Sequence, residues 1–254
     1  MKLVADIGGT NSRIKVGNEY FEVKTKDFLV NYFNLKKKFN VKKVVLAIAA
    51  PITSDDEIKL SNNDVVIKKS DFSDVDFNLL NDVQAQGLAL NNLKSEDVIR
   101  LDNVSHSGDV QALISVGTGL GASVISKKVV IPSELCYVDH KGKDFEHFVS
   151  GRGLSNIYLD IHGKKVSPSV AIKDKAVRQK FFLTLGTAAR TYALCVMPLN
   201  GLYLAGGVIS KNLSLFDKES FFKEFYKHSL MKEIPVYLVK PQDLGIRGCD
   251  SIWL

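Results

Sequence analysis

The sequence predicts an α/β protein made of two similar halves. Runs of β-branched and aromatic residues alternate with amphipathic runs, a pattern typical of sheets covered by helices. The first half has the order βββαβ and then βα, and the second half repeats this order. Both halves also place a glycine turn between their first and second strands, at residues 8–10 and 117–121. We interpret the repeat as an internal duplication.

The first half begins with three predicted strands. Their apolar residues are β-branched or aromatic, and in the second run Ile14 and Val16 alternate with basic residues, as in a strand with one buried face. An amphipathic helix follows, and then a buried strand that ends at Pro51. In order, we predict strands over 2–7, 12–17 and 19–25, a helix over 27–39, strands over 42–51 and 76–82, and a helix over 83–93.

The second half is predicted to contain three strands, a long helix, and then a strand, a helix and a closing strand. The strands are expected over 110–117, 121–128 and 128–133, the long helix over 178–197, a buried strand over 200–207, a helix over 212–228 and the closing strand over 234–241. The sequence has no low-complexity linker. We therefore expect the two halves to pack closely around a cleft.

The composition fits a globular protein and argues against a nucleic-acid partner. The chain has 254 residues, of which 45% are hydrophobic and 24% charged, and its net charge is +6. These values are ordinary for folded domains, and the length suffices for a large core. We attribute the basic charge to a lysine-rich solvated surface. The lysine runs at 36–38 and 42–43 are short and have no accompanying ladder of aromatic residues.

Cysteine usage and hydropathy predict a cytoplasmic protein. Cys136, Cys195 and Cys249 lie far apart and are odd in number, which fits a reducing compartment better than a disulfide framework. The chain enters a strand-like run almost at once, so we expect no signal peptide. Its uninterrupted apolar stretches are too short to span a bilayer, and no membrane association is expected.

The first glycine turn, in the sequence DIGGTN, has features of a phosphate-binding hairpin. A Rossmann fingerprint requires its glycines to open a helix, and a Walker loop requires a following lysine, whereas here a strand pattern follows. Gly8 and Gly9 permit a positive φ and let backbone N–H groups approach a ligand closely. Thr10, Asn11 and Ser12 add side-chain donors. The alternative is a plain tight hairpin, in which these residue types are common.

Asp6 ends the first predicted strand, directly before this turn. Its carboxylate is expected to hold Mg²⁺ through water, because Mg²⁺ keeps much of its hydration in proteins. The alternative is that Asp6 accepts hydrogen bonds from the amides of the turn.

Two further glycine clusters support a nucleotide site. The second turn contains Gly117, Thr118, Gly119 and Gly121, and it could present amides to the same triphosphate from the opposite half. Gly206-Gly207 follows a buried strand and precedes a helix, so its side-chain-free positions could admit an adenine or a ribose. The alternative for this third cluster is tight packing of the strand against the helix.

A series of short motifs runs through the chain in a fixed order. The motifs are DIGGTN, AIAAPIT, Asn81-Asp82, GTGLG, Glu134, SGRGLSNIY, LAGGV and IPVYLV. In this order they resemble the bacterial-type glucokinase group of the sugar-kinase and actin-like ATPase superfamily, over almost the whole chain. The resemblance implies two ribonuclease-H-like, actin-like ATPase α/β domains with an active-site cleft between them. A small domain would comprise 1–92 plus 240–254, and a large domain 93–239.

The resemblance also implies site residues. Asp82 matches the catalytic base, which positions the attacking hydroxyl and accepts its proton. Asn81, Glu134 and Glu146 match positions that hydrogen-bond sugar hydroxyls, and carboxylates are strong acceptors for hydroxyl protons. Ser61-Asn62 resembles a small-domain loop that also touches the sugar. The alternatives are that Asp82 is a helix N-cap and that Glu146 is a solvated loop carboxylate.

The stretch after Glu134 departs from the family pattern. Glucokinases usually have Glu-Gly-Gly-His here, whereas this chain has Leu135-Cys136-Tyr137 after the glutamate. Tyr137 then replaces the histidine that contacts the sugar, and its hydroxyl can donate a hydrogen bond with a different reach. This leaves the identity of the sugar open. Zinc binding by Cys136, His140 and His147 is an alternative, but their spacing matches no known zinc pattern.

The sequence therefore predicts a kinase that uses ATP and Mg²⁺ to phosphorylate the 6-hydroxyl of glucose. The alternatives are a kinase for another hexose or an amino sugar, or a catalytically inactive regulator that binds sugar or nucleotide. Repressors of this superfamily carry a helix-turn-helix before the first glycine hairpin, and only five residues precede Asp6. The presence of Asp82 also argues against an inactive site. A homodimer is favoured because homodimers are common among similar proteins.

Overall fold

The computed structural model describes residues 1–60 and 64–253. The chain forms two compact units, the first made of Met1–Asn92 with the segment that begins at Asp243, and the second of Leu93–Gln242. In chain order the strands are β1 (Lys2–Ile7), β2 (Asn11–Val16), β3 (Glu19–Lys24), β4 (Lys43–Ile48), β5 (Glu57–Lys59), β6 (Val66–Lys68), β7 (Asp76–Asn81), β8 (Val98–Arg100), β9 (Val110–Val116), β10 (Leu120–Ser126), β11 (Val129–Ser133), β12 (Asp139–His140), β13 (Lys143–Asp144), β14 (Leu202–Ala205) and β15 (Val236–Val239). The α-helices are α1 (Phe28–Phe39), α2 (Asp82–Leu90), α3 (Phe145–Phe148), α4 (Gly151–His162), α5 (Pro168–Ala171), α6 (Lys175–Val196), α7 (Gly207–Ser210), α8 (Lys218–Phe225) and α9 (Leu244–Ser251).

The first unit is a mixed sheet with helices on both faces. Its strand order is β3-β2-β1-β4-β7, in which β1 to β3 are antiparallel and β4 and β7 run parallel to β1. On one face, Phe28, Tyr32 and Leu35 of α1 enter a core with Leu3 and Ile14 of the sheet. On the other face, β1 and β4 share a smaller apolar cluster with α2 and α9. The unit therefore has a buried layer on each side of its sheet.

The closing strand predicted over 234–241 is present as β15, and the helix α9 that follows it was not predicted. Only Val236–Val239 of the predicted strand is extended, and the chain continues into α9. This helix is hard to predict because it contains Gly245 and Gly248, and glycine is a poor helix former. The missing side chains allow a close approach instead. A Cβ atom at Gly248 would lie 1.7 Å from the carbonyl oxygen of Ala85 in α2.

Ion pairs also hold α9 against the sheet of the first unit. Lys2 and Lys15, on neighbouring strands, both form ion pairs with Asp250 of α9. Burial raises the pKa of the Asp250 carboxyl, but the hydrogen bond and charge of Lys15 outweigh it, so the pKa lies below its usual range. The last helix is thus held to this unit by both packing and ion pairing.

The second unit is also a mixed sheet, in the order β11-β10-β9-β14-β15-β8. Strands β9 to β11 are antiparallel, β14 and β15 run parallel to β9, and β8 is antiparallel to β15. The core on one face includes side chains of α4, α6 and α8 and is rich in phenylalanine, with Phe181, Phe182, Phe221 and Phe225 buried. Both sheets thus place an antiparallel meander beside parallel strands, in agreement with the interpretation of an internal duplication.

Most of the predicted elements are present with shifted ends. The long helix starts at Lys175 rather than 178, because the Asp174 side chain caps it by accepting a hydrogen bond from the Val177 N–H at 3.0 Å. The helix predicted over 212–228 is shorter and covers only α8, after a 3₁₀ turn. The helix α4 and the small hairpin of β5 and β6 were not predicted. Among the described residues, no helix is both long and apolar enough to cross a membrane.

Candidate active site

Two predicted site segments, the first glycine turn and the Asn81-Asp82 pair, lie at the same edge of the first sheet, with the end of β4 between them. The strands β1, β4 and β7 are parallel, and Ile7 is in register with Ile48, which is in register with Asn81. Two strand spacings therefore separate Ile7 from Asn81, or about 10 Å. The glycine turn that follows β1 and the Asn81-Asp82 pair that ends β7 both face this carboxyl edge, where ligands commonly bind in α/β sheets.

The first glycine turn is a fixed hairpin. The Gly8 N–H donates to the Asn11 carbonyl at 3.3 Å, and the buried Thr25 donates its hydroxyl to the Gly8 carbonyl at 2.7 Å. The Thr25 N–H also donates to the Thr10 carbonyl at 3.0 Å. Thr10 and Asn11 are exposed. Gly8 does not have a positive φ, and a Cβ atom there would lie 3.1 Å from the Asn11 carbonyl oxygen, so the tight packing of the hairpin itself favours glycine at this position.

Asp6 lies just before this turn, with its carboxyl group against α9. A Cβ atom at Gly245, in the first turn of that helix, would lie 2.6 Å from the Asp6 Cγ, so a larger residue there would displace this carboxyl group. Burial raises the pKa of the Asp6 carboxyl, while the charge of Arg13, its register partner on β2, lowers it in part. A cation near this carboxylate would compensate for its loss of hydration.

Asn81, not Asp82, caps α2. The Asn81 Oδ1 accepts hydrogen bonds from the N–H groups of Val83 at 3.0 Å and Gln84 at 3.4 Å, and its Nδ2 donates to the Ala50 carbonyl at 3.1 Å. Asp82 is the first residue of the helix, where the partial positive charge of the helix end favours an anion. Its Oδ1 accepts from the Val83 N–H at 2.9 Å. The alternative role of N-cap thus belongs to its neighbour, and Asp82 is half-buried.

The second glycine turn is joined to Glu146 within the second unit. The Leu120 N–H donates to the Glu146 Oε2 at 3.0 Å. A Cβ atom at Gly119 would lie 2.4 Å from that same oxygen, so this glycine makes room for the glutamate. Gly117 differs, because a Cβ atom there would have no atom within 4 Å. The space beside Gly117 therefore remains available to a ligand.

Glu146 is not a solvated loop carboxylate. It lies in the short helix α3, its side chain is 31% exposed, and its Oε1 accepts a hydrogen bond from Arg152 at 2.5 Å. The Ser150 side chain, the N-cap of α4, donates to the Glu146 carbonyl at 2.8 Å. Both the backbone and the carboxylate of Glu146 are therefore held in place.

Glu134 and Tyr137 flank a buried pair of residues. Leu135 and Cys136 are buried in a 3₁₀ turn, whereas Tyr137 is 69% exposed. The Cys136 thiol donates to the Glu134 Oε2 at 3.3 Å. Burial, and secondly this contact with Glu134, raises the pKa of Cys136 to about 12. The thiol therefore stays protonated at neutral pH, which makes it a poor nucleophile.

The third glycine cluster divides into two roles. A Cβ atom at Gly206, which has a φ of 91°, would lie 2.5 Å from the Val116 carbonyl oxygen of β9. Gly206 is thus required for tight packing, as the alternative proposed. A Cβ atom at Gly207 would have no atom within 4 Å. Because β14 lies next to β9 in register, Gly207 and the second glycine turn share one sheet edge.

The remaining predicted positions are outside these clusters. Ser61 and Asn62 lie outside the described residues. Within 1–60 and 64–253, no group of three or more histidine, cysteine, aspartate or glutamate side chains is arranged to hold a metal ion. An Mg²⁺ ion held by Asp6 through water does not need such a group, because most of its ligands are waters and substrate phosphates.

A family model described as Glucokinase matches residues 3–140 and 140–253, which is nearly the whole chain. The chain belongs to the glucokinase family. The glucokinase of Rhizobium etli (strain CIAT 652) is 28% identical over 310 residues, an alignment that covers 98% of this chain and 90% of that protein.

Solved glucokinase structures share the fold. A glucokinase from an Antarctic psychrotroph superposes with a TM-score of 0.80 at 22% identity, covering 98% of this chain and 97% of that one. A glucokinase from Balamuthia mandrillaris in complex with glucose superposes with a TM-score of 0.82 at 20% identity, covering 98% and 92%. The predicted fold class, two α/β domains of the actin-like ATPase type, is confirmed. The predicted enzyme class, an ATP-dependent sugar kinase, is confirmed as well.

Three residues that shape the candidate segments of this glucokinase-family chain, two in the first unit and one in the second, were missed in the sequence. Thr25 fixes the first turn, Gly245 makes room for Asp6, and Arg152 pairs with Glu146. Only Arg152 had a local signal, since it lies in the SGRG segment whose serine has the N-cap residue type. Thr25 and Gly245 act across the fold, so their roles become visible only in the structure.

Proposed function

We propose that this glucokinase-family chain transfers the γ-phosphoryl group of ATP to the 6-hydroxyl of glucose, with Asp82 as the base. One observation carries this proposal: Asp82 begins α2 at the same sheet edge as the glycine turn after β1, and two strand spacings, about 10 Å, separate the strand ends Ile7 and Asn81. That separation, about the length of a small substrate, supports Asp82 as the proton acceptor beside the proposed phosphate site. Asn81 holds the start of α2 in place, which fixes the position of the Asp82 backbone.

In the proposed step, the Asp82 carboxylate accepts the proton of the 6-hydroxyl as the hydroxyl oxygen attacks the γ-phosphorus. A new P–O bond forms to the sugar, and the bond between the γ-phosphorus and the bridging oxygen breaks, so that ADP leaves with the electron pair. A carboxylate at a helix N-terminus suits this role because its charge is stabilised until the proton arrives.

We propose that phosphate oxygens are held at the first glycine turn, by Gly9, Thr10 and Asn11 with Gly8 shaping the turn, and by the turn that contains Gly117, Thr118 and Gly121. The exposed side chains of Thr10 and Asn11 and the open space beside Gly117 support this role. Gly207 has open space for the nucleoside. Mg²⁺, when bound, would supply positive charge to the phosphate oxygens, and the partly buried carboxyl of Asp6 is suited to hold it through water.

We propose that the sugar hydroxyls are recognised by Asn81, Glu134, Glu146 and Tyr137. Nδ2 of Asn81 donates one of its hydrogens to the Ala50 carbonyl, which leaves the other for a sugar oxygen. The two carboxylates would accept hydroxyl protons, and the exposed Tyr137 hydroxyl can donate or accept. Ser61 and Asn62 stay predicted sugar contacts.

The exposed Tyr137 favours a second candidate, a kinase for another hexose or an amino sugar. It follows two buried residues in a 3₁₀ turn, so the fold fixes its backbone while its ring stays exposed. A phenol reaches further than an imidazole and cannot carry a positive charge. Sugars that differ from glucose next to this group would then be preferred.

A coupled assay of ADP release over a panel of sugars tests the proposal. The panel contains glucose, mannose, fructose, galactose and glucosamine, and the variants are Asp82→Asn and the control Glu219→Gln. Asn keeps an oxygen for the Val83 N–H, so α2 should still form, while kcat should fall by about 10²–10⁴-fold. Glu219 is an exposed acid in the first turn of α8 and should be dispensable. No sugar-dependent turnover, or an undiminished Asp82→Asn enzyme, would contradict the proposal.

We further propose a cytoplasmic location and a homodimer. The thiols of Cys136, Cys195 and Cys249 are all free, which supports a reducing compartment. The dimer is proposed from the family resemblance alone, and sedimentation equilibrium of the purified chain would measure it.

A further inference from the structure

We propose that Arg152 is a positioning residue for the sugar and acts through Glu146. This inference rests on the proposed function, in which Glu146 accepts hydrogen bonds from sugar hydroxyls. Arg152 itself is not required to touch the sugar. Its role is to hold the Glu146 carboxylate in one orientation before the sugar arrives.

The Glu146 carboxylate is anchored through both oxygens. Oε1 accepts a hydrogen bond from the Arg152 guanidinium at 2.5 Å, and Oε2 accepts one from the Leu120 N–H at 3.0 Å. An ionised carboxylate has about four lone-pair sites. The two anchors therefore leave about two sites for sugar hydroxyls, and together they prevent the group from rotating. Each anchor comes from a different element, so losing either one frees the carboxylate to turn.

The backbone around Glu146 is held by contacts that do not involve the Arg152 side chain. The Ser150 hydroxyl donates to the Glu146 carbonyl at 2.8 Å and accepts from the Gly153 N–H at 2.9 Å, which fixes the backbone of α3 and α4 together. The Gly151 N–H donates to the Gly117 carbonyl at 2.8 Å, which fixes α4 against the second turn. These contacts do not involve the arginine side chain, so a change at Arg152 leaves the scaffold intact.

The ion pair between Arg152 and Glu146 contributes little to the stability of the fold. The Arg152 side chain is 54% exposed, and ion pairs at that exposure contribute little to folding stability because water screens them. A bond from a planar guanidinium to a carboxylate nevertheless has strong directional preference. The contact is therefore better suited to orienting Glu146 than to stabilising the fold.

Removal of the guanidinium should weaken sugar binding more than turnover. With one anchor lost, the sugar has to immobilise the carboxylate as it binds, so we expect the sugar KM of Arg152→Ala to rise about three- to tenfold. The KM for ATP and kcat should each change less than twofold. Arg152→Lys, which keeps a charged donor on a flexible stem, should restore part of the loss.

The experiment compares Arg152→Ala in the wild-type background and in Glu146→Gln. If Arg152 acts through Glu146, its substitution should have almost no further effect on sugar KM once the carboxylate is gone. Lys180→Ala is the matched control, because it removes an exposed ion pair with Asp160 on the same helix, α4. This control should leave the sugar KM unchanged.

The outcomes separate this inference from the proposed function. A wild-type protein without sugar-dependent turnover overturns the proposed function. An active wild-type enzyme whose sugar KM is the same in Arg152→Ala, or equally raised by it in both backgrounds, overturns only the positioning role. The Leu120 amide resonance gives a readout without turnover: it should shift in Arg152→Ala and not in Lys180→Ala. An unshifted resonance likewise overturns the link from Arg152 to Glu146.

Discussion

The substitution Gly119→Ala separates two roles of the second glycine turn. A glycine in such a turn is usually attributed to close approach of a phosphate. Here the space that a methyl group would fill is already taken by Glu146, whose Oε2 lies 2.4 Å from the position of the added Cβ. The carboxylate is the far end of a flexible side chain, so it will move away and the turn will keep its shape. We therefore expect Gly119→Ala to weaken the binding of the sugar and to leave the binding of the nucleotide almost unchanged.

The size of the effect follows from the contact that is lost. Displacing the carboxylate breaks its hydrogen bond with the Leu120 N–H, and a hydrogen bond to a charged group contributes about 1.5–3 kcal/mol. Since the Glu146 side chain is 31% exposed, water screens it in part, and the lower end, about 1.5 kcal/mol, applies. Because the sugar must then reorient the carboxylate as it binds, up to this free energy is drawn from sugar binding, and we expect a rise of at most about tenfold in the sugar KM.

The assay is steady-state kinetics with each substrate varied, and Gly117→Ala is the matched partner. At Gly117 a Cβ atom would have no protein atom within 4 Å, so the methyl group enters the space proposed for phosphate. We expect Gly119→Ala to raise mainly the sugar KM, and Gly117→Ala to raise mainly the KM for ATP. If Gly119→Ala raises the KM for ATP and leaves the sugar KM unchanged, the proposed role of Glu146 in the turn is refuted.

Three other predictions concern the first unit. Gly248→Ala should lower the free energy of unfolding by about 1–3 kcal/mol, because its Cβ would overlap the Ala85 carbonyl; Gly207→Ala, with open space, should leave the thermal midpoint unchanged. Asp250→Asn should destabilise the protein at pH 7, and the difference from wild type in urea unfolding should shrink below about pH 4, since the folded-state pKa of Asp250 is lowered and protonation removes its stabilising charge. The Mg²⁺ concentration for half-maximal activity should rise toward acidic pH because burial raises the pKa of Asp6, and Asp6→Asn should remove this dependence. A difference in stability between Asp250→Asn and wild type that persists at low pH would contradict the second prediction. An Asp6→Asn enzyme whose Mg²⁺ requirement still depends on pH would contradict the third.

The strands could be predicted from the sequence because their signal is local. Alternating or continuous apolar runs report burial directly, and the observed ends of β1 to β4 differ from the predicted ones by only a few residues. The helix α9 could not be predicted, because Gly245 and Gly248 lower its intrinsic propensity. Their benefit arises from contacts with residues far away in the sequence, which a local pattern does not contain.

The site shows the same limit at the level of single residues. Both Asn81 and Asp82 have side chains that can cap a helix, and the sequence cannot choose between them. The structure makes the choice through the backbone, since Asn81 is extended with ψ of 149° while Asp82 is already helical. The contact of Glu146 with Leu120 joins residues 26 positions apart, so a local sequence pattern could not predict it.

The glycines of the candidate site segments fall into two groups, according to what occupies the space that a Cβ atom would take. Some leave space that a ligand can fill, and others leave space that the protein fills itself. The first group is Gly117 and Gly207, and the second is Gly119, Gly206 and Gly245, which face Glu146, Val116 and Asp6. A glycine-rich motif is therefore not by itself a record of phosphate contacts.

This division has a thermodynamic consequence for the second unit. The Leu120 amide is directed at Glu146, so the turn proposed to hold phosphate also orients a carboxylate proposed to hold sugar. A sugar that draws on Glu146 then acts on the same amide that helps to shape the phosphate turn. Any factor by which bound sugar changes the affinity for ATP must equal the factor by which ATP changes the affinity for sugar. If Glu146 is the link, Glu146→Gln should bring both factors toward one together, whereas a coupling carried by other parts of the protein would survive the substitution.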